Sequence, residues 1–550
     1  MKRFRKNIIH IRILKMLFLS SALLLLLILR LGHIQITEHD SLKVQALKQR
    51  AKEINLYPNR GIIYDRNLIP LTNRDRIPTA FIYKDNVLDD EELRAFILEN
   101  SYLDEENLED YIKSKDNIVD IPLRYSIEVV DDNRILIADR TTRYGEDNLL
   151  SHVIGYINKS ENRGEAGIEK AYDEILKDGD NYSLYIEFDK KNRTFLGGEY
   201  AVDQKSNLED PKAVKLTIDY HIQKIVEDIL DKNKTKGAII VADVESGDIM
   251  AMASRPNFNQ YEIDEYLERE DMVLYNKAIQ VANPPGSLFK TVVLAAALEE
   301  DISYMDKIFY CRGYEQLNSV TIKCNNINGH GYIGLKDAFS KSCNSAFIQL
   351  GQEIGSTKII HMANKLGFGE KINIGLLEEV GGNLPSGKDL KGPAIGNISI
   401  GQGSIEATPL QVTNMMMIIV NNGVKKGLTV VDSITTKDGY MIKKFNKGSD
   451  ERVMSKEVAE IIQEYLLDVV LNGTAKKMDL HDIGGAGGKT GSAQAILNKK
   501  ETIHGWFSGF YPATNPKYVV TVFVEKGFSG SSSAVPIFEE VVKQINKISR

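Results

Sequence analysis

Three short segments carry side chains that could act together. In Asn283-Pro284-Pro285-Gly286-Ser287-Leu288-Phe289-Lys290-Thr291, two prolines and a glycine break the chain, and an alanine-rich run then continues to Glu300. This predicts a loop feeding a helix, with Ser287 in the first turn. Lys290, three residues on, shares its face. A serine hydroxyl is a weak nucleophile until a base takes its proton, and a lysine can be that base once burial lowers its pKa. The helix N-terminus adds partial positive charge where an oxyanion would form. Ser342-Cys343-Asn344 follows 55 residues after the serine. Ser342 can pass a proton to a leaving amine, and Asn344 can donate to a substrate amide or hold Lys290. Lys489-Thr490-Gly491-Ser492 follows a glycine-rich approach. Lys489 and Thr490 offer a cation and a hydroxyl to a carboxylate. Gly491 admits an extended chain beside a strand edge. The backbone N–H groups of Ser287 and Ser492 would form an oxyanion hole. Each segment alone is common, and Ser287–Lys290 alone reads first as an ordinary capped helix.

A second cluster lies between the first two segments. Cys311, Cys324 and His330 follow a C-x12-C-x5-H spacing in a loop rich in Gly and Asn. They supply three ligands of the type zinc takes, with Asp301, Asp306 or Asp337 as the fourth. The role expected of such a zinc is to pin the loop, not to do chemistry. A Cys311–Cys324 disulfide, or two packed thiols beside a His-Gly turn, explains the same residues. Cys343, between Ser342 and Asn344, reads as a small packed hydrophobe facing away from the site. His504 and Trp506 read as strand packing.

The positioning elements follow from pattern. Residues 219–230 read as an amphipathic helix, and 238–252 as a β-hairpin around Glu245-Ser246-Gly247-Asp248. Helical segments fall within 335–365, 408–420 and 455–470. Strands return at 486–496, 503–510 and 517–525, and a final helix starts near Val535. Strands first and last with helices between predict an α/β (α+β) fold, one antiparallel sheet sandwiched by helices. Upstream, Asp89-Asp90-Glu91-Glu92 and Asp104-Glu105-Glu106 mark helix starts. Residues 38–54 read as a charged, helix-compatible stalk ended by Tyr57-Pro58-Asn59.

At 550 residues the chain exceeds one core. A net charge of −7 argues against nucleic acid as a main partner. Lys2, Arg3, Arg5, Lys6, Arg12 and Lys15 precede an uncharged run from Met16 to Leu29, loosely apolar to Ile34. No small-x-small cleavage site follows. This predicts an uncleaved anchor with its basic end inside and the rest of the chain exported. The expected domains are a cytoplasmic tail (1–15), a membrane helix (16–34), a pedestal (35–212) and a catalytic domain (213–550).

Ser-x-x-Lys, Ser-x-Asn and Lys-Thr-Gly in this order match the signature of penicillin-interacting serine transferases and hydrolases. The chain as a whole resembles the class B penicillin-binding proteins. Arg60-Gly61-…-Asp65-Arg66 and Gly164-Glu165-Ala166-Gly167-Ile168-Glu169 look like their pedestal motifs. Gly401-Gln402-Gly403, Thr408-Pro409-Leu410-Gln411 and Trp506-Phe507-Ser508-Gly509-Phe510 look like their transpeptidase domain. Leu68 stands where the family often has glycine, Thr72 where alanine is common, and Ser492 where threonine is usual. The resemblance implies the penicillin-binding transpeptidase fold on an elongated pedestal with one membrane helix. It implies a D,D-transpeptidase that cross-links peptidoglycan stem peptides ending in D-Ala-D-Ala through an acyl-enzyme on Ser287. β-Lactams would acylate the same serine. No cofactor is implied for catalysis, and a polytopic glycan polymerase is the implied membrane partner. A D,D-carboxypeptidase, and a non-catalytic β-lactam receptor or scaffold, are the competing readings. A β-lactamase would need a deacylating Glu in an E-x-x-L-N segment, and none follows Ser342.

Overall fold

The computed structural model describes residues 2–39, 42, 52–56, 60–113, 118–127, 134–177, 181–186, 201–205, 212–497 and 500–548. Helix α1 (Lys2–Ile36) carries a 27-residue stretch, His10–Ile36, long and apolar enough to cross a membrane. It extends beyond the 16–34 expected. Of the proposed stalk, Lys52–Asn55 is a strand rather than helix. The Tyr57-Pro58-Asn59 break lies outside the described residues.

The chain divides into two compact units that interleave in sequence. The first comprises Met1–Asn59, Asp75–Thr142 and Asp180–Glu209, and the second Arg60–Arg74, Arg143–Gly179 and Asp210–Arg550. A single boundary near residue 212 therefore does not describe the contacts. Residues 60–74 and 143–179 pair with each other through Arg60, Arg143 and Glu169, and bond onward to later residues: Arg66 N–H donates to the Ile218 carbonyl, Val214 N–H to the Ile62 carbonyl, and Leu150 N–H to Glu227.

In the first unit, β1 (Arg76–Tyr83) is the middle strand of an antiparallel sheet between β2 (Ile118–Pro122) and β3 (Ile135–Thr141). Helices α2 (Glu91–Asn100) and α3 (Glu105–Lys113) contribute Leu93, Ile97, Leu108 and Ile112 to its core. Both start at the acidic clusters read from the sequence. The Asp90 carboxylate accepts from the N–H groups of Glu92 and Leu93, and Asp104 accepts from that of Asn107. A second three-stranded sheet joins Lys52–Asn55, Asn181–Ile186 and Ala201–Lys205.

The second unit is built on a five-stranded antiparallel sheet. Helix α4 (Tyr220–Lys232), capped by Asp219, leads into β4 (Gly237–Asp243) and β5 (Ile249–Arg255). The other strands come from the C-terminal end: β6 (Gly487–Leu497), β7 (Lys500–Tyr511) and β8 (Tyr518–Val524). The spatial order is β5-β4-β8-β7-β6, leaving β6 at the edge.

Successive side chains on a strand face opposite ways. Ser508 pairs with Thr521, whose hydroxyl meets Thr413 of α5 (Pro409–Val420) on one face. Phe507, on the other face, packs at 4.6 Å against Phe538 of α6 (Val535–Ile548). Every residue of α5 is buried, and Thr408 and Gln411 close a capping box at its start. Its continuous apolar run is that of a helix surrounded by protein.

The motif read at Arg60 is held by charge within the second unit. Glu169 is fully buried and takes both Arg60 Nε at 2.8 Å and Arg143 Nε at 2.7 Å. Arg60 also reaches Asp173, and Arg143 donates to the Gly61 carbonyl. The two departures differ in their local setting. Leu68 sits at φ 65°, a left-handed conformation that glycine adopts without cost, and the Thr72 hydroxyl accepts from the Ile63 N–H.

Candidate active site

Gly286–Phe289 forms a tight 3₁₀ turn, and the α-helix proper, Lys290–Glu300, begins only at Lys290. Ser287 thus lies on the turn, half-buried, while Lys290 opens the helix. Gly286 has φ 55°, and a Cβ there would lie 2.5 Å from the Ser492 carbonyl oxygen. A Cβ at Gly491 would lie 2.7 Å from the Pro285 oxygen. The two glycines therefore let edge strand β6 sit directly against the Ser287 turn. The Gly286 N–H donates to Gly401, tying the turn to the Gly401-Gln402-Gly403 segment.

Lys290 has no solvent exposure. Its Nζ donates to the Ser342 carbonyl at 2.7 Å, Ser342 Oγ at 3.2 Å and Asn344 Oδ1 at 2.7 Å. Burial lowers its pKa to about 8, against a smaller opposing pull from Cys343 and Cys324. Ser342 is held at φ 57°, a strained conformation for a serine, between two short helices, Leu335–Ser340 and Asn344–Ile354. Of the two roles read for Asn344, the contact with Lys290 is the one formed. Its Nδ2 donates to the Lys323 carbonyl.

Lys489 is also fully buried, and burial, then the neighbouring Lys290, push its pKa well down. Among the described residues neither lysine has a carboxylate within ion-pair distance. Lys489, buried without a carboxylate, regains its charge most readily beside an anionic ligand. Thr490 Oγ1 lies 2.6 Å from Thr474 Oγ1, and Ser492 Oγ accepts from the Gly530 N–H at 3.1 Å. Among the described residues strand β6 pairs only with β7, so its outer edge can take an extended peptide. Ser287, Lys290, Ser342, Asn344 and Lys489–Ser492 thus converge on one place.

The cysteines adopt an arrangement different from the one expected. All three are free thiols, so no Cys311–Cys324 disulfide forms. The fourth donor beside Cys311, Cys324 and His330 is Cys343, not Asp301, Asp306 or Asp337. Cys343 is buried, but its sulfur points into this cluster rather than into apolar packing. The four ligand atoms lie within 4.8 Å of one another. His330 Nδ1 is 3.5 Å from Cys311 Sγ and 3.6 Å from Cys324 Sγ, and Cys324 Sγ is 3.8 Å from Cys343 Sγ. A tetrahedron with metal–sulfur bonds of about 2.3 Å has S···S edges of about 3.8 Å; the Cys324–Cys343 pair matches that edge, and a contraction of at most about 1 Å would bring the remaining donors onto it. The sequence signal for the fourth donor was a cysteine within Ser-x-Asn, which carries no ligand spacing of its own.

Thr474, Gly530 and Lys323 were not foreseen. They reach the site by tertiary packing, and no residue spacing announces them. His504 and Trp506 are buried in the sheet, as expected.

Comparison with known proteins bears on the family and the fold. Residues 237–543 match the model of the penicillin binding protein transpeptidase domain. Stage V sporulation protein D of Bacillus subtilis is 28% identical, over 97% of this chain and 85% of its own length. The peptidoglycan D,D-transpeptidase MrdA of Acinetobacter baumannii is 26% identical, over 94% and 85%. The D,D-transpeptidase domain structure of a peptidoglycan glycosyltransferase from Eggerthella lenta superposes with a TM-score of 0.64 at 25% identity, covering 89% of this chain and 98% of that one. A structure described as a peptidoglycan synthase complex that coordinates polymerization and crosslinking superposes with a TM-score of 0.69 over 98% of both chains at 24% identity, which shows the fold. Because the matched domain spans more than half of the chain and encloses Ser287, Lys290, Ser342, Asn344 and the Lys489 strand, the chain belongs to the penicillin-binding protein transpeptidase family.

Proposed function

We propose that this chain is a membrane-anchored serine D,D-transpeptidase that cross-links peptidoglycan stem peptides. The observation that carries the mechanism is Lys290, buried, lowered to a pKa of about 8 and bonded to Ser342 and Asn344 one turn from Ser287. Ser287 Oγ bonds to the carbonyl carbon of the penultimate D-alanine as its proton passes to Lys290 Nζ. Negative charge collects on the carbonyl oxygen, where the Ser287 and Ser492 N–H groups can receive it. Collapse breaks the C–N bond. Ser342 hands the proton from Lys290 to the departing D-alanine amine, leaving an ester on Ser287. An amine of a neighbouring stem peptide then bonds to the ester carbonyl carbon; its proton passes through Ser342 and Lys290 to Ser287 Oγ as the ester C–O bond breaks, which closes the cross-link and restores the Ser287 hydroxyl. Lys489 and Thr490 hold the carboxylate of the acyl donor, and the edge of β6 aligns its backbone. α1 anchors the protein, with its basic end cytoplasmic and the catalytic unit outside. The family resemblance supports a polytopic glycan polymerase as partner. Intact-mass spectrometry after penicillin treatment tests the reading. One adduct on Ser287, absent in Ser287→Ala, is expected; no adduct, or one elsewhere, overturns it.

We further propose that Cys311, Cys324, His330 and Cys343 hold a structural zinc. The ion would neutralise gathered thiolates and fix the loop to the Ser342 wall, contributing no chemical step. Purified protein is expected to contain one zinc per chain, reduced by Cys324→Ser, and to show thiolate charge-transfer bands when reloaded with cobalt. Metal-free protein with unchanged thermal stability would rule the site out.

A further inference from the structure

Strand β6 and the Ser342 wall meet through a short turn at the end of helix α7 (Lys456–Leu471), and this turn holds a hydroxyl with no role so far. Gly473 packs against Ser340, where a Cβ would lie 2.3 Å from the Ser340 carbonyl oxygen. The Thr474 N–H donates to that same oxygen at 3.2 Å, and Ser340 Oγ donates to the Asp468 carbonyl at 3.1 Å. Ser340 is buried and lies two residues before Ser342. The Thr474 backbone is therefore set by the wall that carries Ser342. Its side chain crosses to the other wall and meets Thr490 Oγ1 at 2.6 Å.

Two hydroxyls bring two protons, and the contact between them consumes one. No protein acceptor for the second is found among the described residues. Lys489, buried beside Thr490 with no carboxylate, marks the place where an anion is wanted. If Thr490 spent its proton on Thr474, it would meet a carboxylate with lone pairs. If Thr474 donates instead, Thr490 keeps its proton for the ligand, and donation to a charged acceptor is the stronger bond.

We propose that Thr474 is a positioning residue for recognition of the acyl donor's carboxylate. Its hydroxyl donates to Thr490 Oγ1 and so directs the Thr490 proton toward the ligand. The inference rests on the acyl-transfer reading and adds to it the group that orients the carboxylate-binding threonine.

The test compares acylation rates with benzylpenicillin, which carries the carboxylate, and with its methyl ester, which does not. Thr474→Val should lower the rate for benzylpenicillin by about tenfold, the worth of one charge-assisted hydrogen bond, and leave the methyl ester rate unchanged. Thr474→Ser should restore the benzylpenicillin rate, and Thr474→Ala provides a second hydroxyl-free variant should valine prevent folding. In a Thr490→Val background, Thr474→Val should have no further effect. An unchanged benzylpenicillin rate, an equal loss with both probes, failure of serine to restore the rate, or additive losses with Thr490→Val would each overturn the proposal. Wild-type protein that forms no adduct with either probe would overturn the acyl-transfer reading itself, and this inference with it.

Discussion

At the scale of single residues, the site depends on lysines kept from water. Lys290 has its ordinary value near 10.5 lowered to about 8, chiefly by burial. The base must be neutral to accept the Ser287 proton, so at pH 7 only about a tenth of the molecules are ready. The acylation rate with penicillin should rise roughly tenfold per pH unit below 8 and level off above it; a rate flat from pH 6 to 9 would exclude Lys290 as the base. The same shift affects stability. Between about pH 8 and 10.5 the unfolded chain holds the lysine proton and the folded chain does not, so this group's contribution to stability rises with pH across that window. The identities of Ser287, Lys290, Ser342, Asn344 and Lys489 were legible in the sequence because their types suit acyl transfer and their order matches the signature of the penicillin-interacting serine enzymes that the chain resembles. Thr474 and the placement of Cys343 beside Cys324 and His330 were not, since each depends on which distant residue packs beside it.

At the scale of elements, local chemistry was the better guide. Asp90, Asp219, Thr408 and Ser455 cap the helices whose starts they mark, because a capping side chain bonds to N–H groups two or three residues away. The three C-terminal strands also lie close to the expected 486–496, 503–510 and 517–525. The α-helix starts at Lys290, three residues after Ser287, because Gly286–Phe289 takes a 3₁₀ turn packed against β6, a tertiary setting that local pattern does not show. Distant ion pairs hold elements in a way local pattern cannot show. Glu169 is fully buried between Arg60 and Arg143. Glu169→Ala would strand two buried guanidinium groups and should cost about 3–5 kcal/mol, read as a fall in the urea midpoint. A loss below 1 kcal/mol would mean that the cluster is hydrated or compensated.

At the scale of the whole molecule, the interleaving of the two units makes a prediction that a single linear boundary would not. Residues 75–142 form a sheet with its own helices and its own core. The ends of this segment are already joined: the Thr142 N–H donates to the Asp75 carbonyl at 3.0 Å. Immediately outside, the Asn73 N–H donates to the Arg143 carbonyl at 3.0 Å, within the second unit. Chain ends this close are the mark of an insertion, and removing one costs the host mainly the closure of a short loop. Replacing 75–142 by a few glycine and serine residues should therefore leave a folded protein that penicillin acylates on Ser287 within about threefold of the full-length rate, since loop closure changes only slowly with length. Thermal unfolding and intact-mass labelling would report both properties on one sample. Loss of the cooperative transition would show that the second unit needs the inserted lobe to fold. A folded but unreactive protein would show instead that the lobe acts on the site, a coupling that no contact within the second unit requires.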